Sequence, residues 1–160
     1  MSTPQKKVEP IPAEYPGVTP YLAVNDAAAA IEFYKKGFGA TERMRLPMPD
    51  GKIGHAEIMI GNAIVMLADE DPSAAHVSPK TLGGSTVKLH VYVEDVDAFF
   101  EKAEAAGAKV LLAPADQFYG DRSGRLEDPF GHVWLVSTHT EDVSPEEMQK
   151  RMEAYSQVGS

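Results

Sequence analysis

The sequence predicts an α+β fold: two tandem βαβββ modules forming a curved, cup-like mixed sheet with helices on its outer face. Three observations carry this expectation. Helix-period and strand-period segments follow one another in the order strand, helix, strand, strand, strand, and the order occurs twice. Anchor residues recur at a nearly constant offset: Val24-Asn25-Asp26 with Val93-Glu94-Asp95 at 69, Gly39-Ala40 with Gly107-Ala108 at 68, and Gly61 with Gly131 at 70. The chain has 160 residues, enough for one ordinary domain, whereas either half alone is marginal. The halves are therefore expected to share one core.

The elements follow in order. Residues 1–17, MSTPQKKVEPIPAEYPG, hold four prolines and no apolar period, and read as an extended arm. The first module spans residues 18–70. VTPYLAV is its first strand, and Asn25 and Asp26 can cap the helix AAAAIEFYKKGF. Ala27, Ile31, Tyr34 and Phe38 fall on one face of that helix, and Gly37 and Gly39 end it. TERMRLPM, KIGHAEIMI and AIVMLADE supply three strands, with turns at Pro49 to Gly51 and at Gly61-Asn62. Residues 71–85, rich in Pro, Gly and Ser, read as a linker.

The second module spans residues 86–139. TVKLHVYV is a strand, and Asp95 caps a helix in which Val96, Phe99, Phe100 and Ala103 share a face and which ends at Gly107. AKVLLAPADQFY, SGRLED and HVWLVSTH supply its remaining strands, the last two joined by the turn Asp128-Pro129-Phe130-Gly131. Within 140–160, Ser144, Pro145 and Glu147 make a capping box for a last helix. Its stripe of Met148, Met152 and Tyr155 is expected to cover the sheet or a partner subunit.

Composition narrows the function classes. Apolar residues make up 43% and charged residues 24%, as in soluble globular proteins. No apolar run is long enough to span a bilayer, and the N-terminus lacks the apolar region of a secretory signal, so a cytoplasmic location and no membrane partner are expected. The absence of cysteine excludes disulfides, thiolate nucleophiles and Cys-ligated metal centres. A net charge of −9 argues against nucleic acid, whose phosphates need clustered Lys and Arg.

The paired modules, with ND…AIEFYKKGFGA in the first and DPFGHVW in the last hairpin, resemble the vicinal oxygen chelate superfamily of glyoxalases, bleomycin-resistance proteins and dioxygenases. TPYLAV, GHAEIMIGNAIVML and DPFGHVW look closest to its PhnB-like branch. The resemblance covers residues 18–139. It implies that each module curves its sheet into half of a cup, and that drug-sequestering members work as homodimers with ligands in crevices between subunits. In metal-dependent members, each module supplies a His or Gln near the start of its first strand and usually a Glu within its last. The metal then chelates two substrate oxygens.

Set on those four positions, this sequence offers Thr19, Met66 or Val65, Lys88 and Leu135. His90 lies two residues beyond Lys88, on the same strand face. The usual metal site is thus expected to be absent, and no cofactor is expected. Period 2 in the third strand turns His55, Glu57 and Met59 to the cup. His55, Glu57 and His90 are the alternative set for a displaced divalent metal or an acid–base pair. Tyr119 can stack a ligand, and Arg122 or Arg125 can grip a carboxylate or phosphate. The candidate ligand-binding residues are His55, Glu57, His90, Tyr119 and Arg122. Besides an interaction module whose dimer surface is its function, which the proline-rich arm and the last helix suggest, two functions stay open. One is metal-independent binding of a small organic molecule, and the other is a lyase, isomerase or dioxygenase with a non-standard site.

Overall fold

A computed structural model describes residues 6–159. The first five residues of the expected arm, and Ser160, lie outside the described residues. The element order is β1 (Tyr21–Val24), α1 (Ala27–Phe38), β2 (Thr41–Pro47), β3 (Ile53–Ile60), β4 (Ala63–Asp69), a 3-10 turn (Pro72–Ala74) and α2 (Pro79–Leu82). The second half gives β5 (Lys88–Tyr92), α3 (Val96–Ala106), β6 (Lys109–Asp116), β7 (Asp121–Glu127), β8 (Val133–His139) and α4 (Pro145–Val158).

Each module builds its own four-stranded mixed sheet, in the orders β1-β4-β3-β2 and β5-β8-β7-β6. In both, the first and last strands pair in parallel and the rest are antiparallel. The repeat is kept in the register: Tyr21 pairs with Met66 as His90 pairs with Leu135.

Local sequence explains the long helices. The Asp26 and Asp95 side chains accept hydrogen bonds from the Ala29 and Ala98 amides, covering donors that the first turn leaves unpaired. Gly39 and Gly107 close the two helices at φ 68° and 119°, a left-handed geometry that a Cβ disfavours. Gly37 is still inside α1.

Helix α1 packs on β2, β3 and β4, α3 packs on β6, β7 and β8, and the two helices pack on each other. One core joins the modules: Val24, Ile31, Tyr34, Phe38, Ile58 and Leu67 from the first, and Phe100, Leu126, Trp134 and Val136 from the second. Burial of each large side chain contributes roughly 1.5–3 kcal/mol. Phe38 meets Phe99 at 4.9 Å and Trp134 at 4.9 Å between ring centres. The core thus lies on the helix side of both sheets, and the opposite, cup faces turn away from it.

Two polar contacts lock the halves together. The Tyr34 hydroxyl donates to Asp128 at 2.5 Å, although the two are far apart in sequence. His132 is buried, and its Nε2–H donates to the Ala23 carbonyl at 2.9 Å. The segment read as a linker is partly structured. Ser78 is fully buried and caps α2, and Glu70 accepts from the Ser78 amide and the Thr81 hydroxyl.

Candidate functional site

The cup face of the first sheet carries a polar network centred on Glu57, which is only 4% exposed. The Tyr15 hydroxyl donates to Glu57 at 2.6 Å, and Arg43 donates to its other oxygen at 3.0 Å. Arg43 also binds Glu14 at 2.7 Å, so the arm folds back over this cup. His55 Nε2 lies 3.4 Å from Glu57, and its Nδ1 lies 2.8 Å from the Tyr21 hydroxyl. A carboxylate only accepts, so Nε2 carries the proton and Nδ1 accepts from Tyr21. Burial pushes the Glu57 pKa up, but hydrogen bonds from Tyr15 and His55 and the Arg43 charge outweigh it and hold it below the ordinary range. Glu57 is therefore an ionised, fully engaged carboxylate.

The cup face of the second sheet is built differently. Ser137 donates to Ser123 at 2.8 Å, which leaves the Ser137 oxygen to accept from His90 Nε2–H at 2.8 Å. The His90 ring stacks on Tyr92 at 4.8 Å. The Tyr92 hydroxyl donates to Asp121 at 2.7 Å, and burial and this bond raise the Tyr92 pKa, the bond most. His139 sits between Asp121 and Asp142, at 2.7 and 2.8 Å, with one ring nitrogen on each carboxylate. Both nitrogens must then donate, so these contacts favour the imidazolium and raise its pKa.

A cavity of about 340 Å³ lies on this face. Leu135 and Ser123 contribute to it from β8 and β7, Leu112 from β6, and Tyr119 and Tyr155 from the hairpin and α4. Arg125 also lines it, with its Nε buried and unpaired among the described residues. Larger hollows flank the linker segment. One, of about 550 Å³, is walled by Asp50, Asp69, Glu70 and Asp71. Those carboxylates already accept from the chain's own amides, and His76, on the same wall, keeps its Nε2 buried with no partner among the described residues.

The candidate residues therefore separate. His55 and Glu57 meet in the first cup, while His90 belongs to a different network in the second. Among the described residues, no group of three His, Asp or Glu side chains is placed to hold a metal ion. Tyr119 lines the cavity. Arg122 does not join it. Its guanidinium is held by Asp97 of α3 at 2.7 and 3.0 Å and by Asp116 at 3.4 Å, because alternation along β7 turns it to the helix side.

Sequence reasoning passed over Tyr21, Arg43, Tyr15, Ser123 and Ser137. Tyr21 had a signal, since it stands at the repeat offset from His90. Sequence reasoning names Arg125 beside Arg122 but leaves it out of the candidate set, although period 2 in β7 puts it on the face of Ser123 and opposite Arg122. Tyr15 and Arg43 had none, since an arm and a bulged edge strand carry no reliable period.

With this architecture in view, comparison with known proteins is direct. The sequence profile of the Glyoxalase/Bleomycin resistance protein/Dioxygenase superfamily matches residues 17–136. The chain belongs to this superfamily. A relative in Mycobacterium bovis, Uncharacterized protein Mb0911c, is 45% identical over 140 residues, covering 86% of this chain and 92% of its own length. Among solved structures, TioX from Micromonospora sp. ML1 is similar at TM-score 0.61 and 27% identity, covering 80% of this chain and 99% of its own. A PhnB protein from Bacillus cereus, described as a putative 3-demethylubiquinone-9 3-methyltransferase, shares the fold at TM-score 0.60 and 19% identity, covering 76% of this chain and 98% of its own. Among the described residues, no helix is long and apolar enough to cross a membrane.

Proposed function

We propose that this protein is a cytoplasmic, metal-independent binding member of the superfamily, a homodimer that holds a small organic molecule against the cup face of its second module. The observation that carries this reading is the cavity beside Leu135, which stands where metal-dependent relatives place a chelating Glu. Neighbouring Leu112 offers apolar contact there, and Met66, the register counterpart of Leu135 in the first module, likewise lacks the oxygen or nitrogen donor a divalent ion needs. Tyr119 and Tyr155 supply aromatic walls, as small-molecule sites require.

The dimer is supported by apolar side chains left outside the core. Leu46 and Met48 stand exposed in the first module, Tyr92 and Leu112 in the second, and Met152 and Tyr155 on α4. A second copy that closes a crevice over the cups would cover such a surface.

The test has two parts. Elemental analysis of purified protein should give well under one divalent ion per chain, and ligands found in a fragment screen should bind equally with and without chelator. A stoichiometric ion that is lost together with binding on replacing His90 with Ala would overturn the reading. Sedimentation should give twice the chain mass, and a monomer at micromolar concentration would remove the dimer.

A second reading, enzymatic acid–base chemistry, is favoured by the Tyr21–His55–Glu57 relay in the first cup. Turnover of a screened ligand that is lost on His55→Gln would select it.

A further inference from the structure

The chain has five arginines, all among the described residues. Four are matched with carboxylates: Arg43 with Glu14 and Glu57, Arg45 with Glu42, Arg122 with Asp97 and Asp116, and Arg151 with Glu141 and Glu147. Among the described residues Arg125 has no acid partner, and its Nε is shut from solvent with no acceptor. Carboxylates on the same strand face are engaged elsewhere. Asp121 is held by Tyr92 and His139, and Glu127 faces Lys80 at 3.8 Å. A buried N–H donor without an acceptor costs free energy that folding alone does not return, although the rest of the half-buried side chain keeps some exposure. The cavity it lines is where an acceptor can enter.

The neighbouring hydroxyl points to the same chemistry. The chain of donors runs from His90 Nε2–H to Ser137 and from Ser137 to Ser123. It ends at the Ser123 hydroxyl, whose own proton finds no acceptor among the described residues. Ser123 is 7% exposed and lines the same cavity. Thus a charged donor fork and the end of a hydrogen-bond chain meet in one hollow, between Tyr119 and Tyr155 and beside Leu112 and Leu135. Donors without acceptors select a ligand rich in acceptors, and an Arg fork matches a planar oxyanion with two bonds.

We propose that Arg125 and Ser123 form an oxyanion subsite in the second cup, which takes the carboxylate of a small aromatic acid whose ring lies between the tyrosines. This rests on the reading of the cup as a small-molecule site and names the ligand's class. The cavity, at about 340 Å³, is at the small end of ligand sites and suits a single-ring acid. The overall charge of −9 does not conflict, because the subsite is set by local groups and the remaining arginines are already neutralised.

The experiment compares benzoate with its neutral isostere benzamide by calorimetry and by NMR shifts on the intact protein. Wild type should bind benzoate at least tenfold more tightly than benzamide. Arg125→Met should remove that preference, Arg125→Lys should keep only part of it, and Ser123→Ala should weaken benzoate several-fold. Arg125→Met should also raise the melting temperature of the ligand-free protein, because it removes a buried Nε–H donor that has no acceptor; a structural arginine would show the reverse. Equal binding of both probes by wild type, or unchanged benzoate binding by Arg125→Met, overturns the proposal. So does dissociation of the dimer by Arg125→Met with no benzoate preference in wild type, which assigns the guanidinium to a subunit contact. If neutral fragments bind the cup and benzoate does not, only the oxyanion subsite fails. If nothing binds the cup, the small-molecule reading fails with it.

Discussion

Removing the Asp128 carboxylate should cost more stability than any other single polar change in the chain. The side chain is 2% exposed and accepts four hydrogen bonds. Oδ2 takes the Tyr34 hydroxyl at 2.5 Å and the Trp134 indole N–H at 2.9 Å, and Oδ1 takes the Phe130 and His132 amides at 2.9 and 3.0 Å. In Asp128→Ala all four donors lose their acceptor. The donors belong to buried residues, with Tyr34 and Trp134 0% and 3% exposed. Each buried donor left unpaired costs about 1–3 kcal/mol, so we expect a loss of about 3–5 kcal/mol. Asp128→Asn keeps an acceptor for the amides but turns an NH₂ toward the Trp134 N–H, and should cost about 2–3 kcal/mol. Tyr34→Phe removes one donor and leaves three, for a loss of about 1.5 kcal/mol. The single tryptophan lies inside the network, so its fluorescence in urea reports the transition directly at fixed protein concentration. An Asp128→Ala loss below about 1 kcal/mol, or strict additivity of Tyr34→Phe with Asp128→Asn, would refute the reasoning.

Three further outcomes are expected. Because the His139 pKa is raised in the folded state, its contribution is complete below the unfolded value of about 6.5 and is lost as pH climbs through the folded one; His139→Gln should therefore flatten the fall in melting temperature above about pH 6.5. A Cβ at Gly120, where φ is 95°, would sit 2.2 Å from the Glu141 carbonyl oxygen, so Gly120→Ala should destabilise by about 2–4 kcal/mol, measured by denaturant midpoint. Tyr15→Phe deletes a hydrogen bond that lowers the Glu57 pKa and should move it upward, read as a carbon-13 carboxyl titration. An unmoved Glu57 titration would detach the arm from the first cup.

Much of the fold was legible because it rests on patterns that survive without tertiary context. Helix faces such as Ala27, Ile31, Tyr34 and Phe38 follow the 3.6 period and are all buried. The repeat offset is carried into strand register, where Tyr21 stands to Met66 as His90 stands to Leu135. The site was legible only in part. Strand alternation placed His55 and Glu57 on one face, where they meet. It could not tell which arginine of β7 is spent, because the acid that engages Arg122, Asp97, sits on a helix well away in sequence. Nor could it show that His132 crosses to Ala23, since such contacts arise only once the modules dock.

The Tyr34–Asp128 contact has no twin. The residue that answers Tyr34 at the repeat offset is Ala103, which has nothing to donate. The halves still carry one architecture, yet they are no longer interchangeable parts. A fragment ending in the linker would bury a phenol with no acceptor, and the complementary fragment would bury a carboxylate short of a donor. Any attempt to express the modules apart, to swap their order or to rebuild the chain from two copies of either one meets this obstacle first. The duplication that the sequence still displays has become a one-way step.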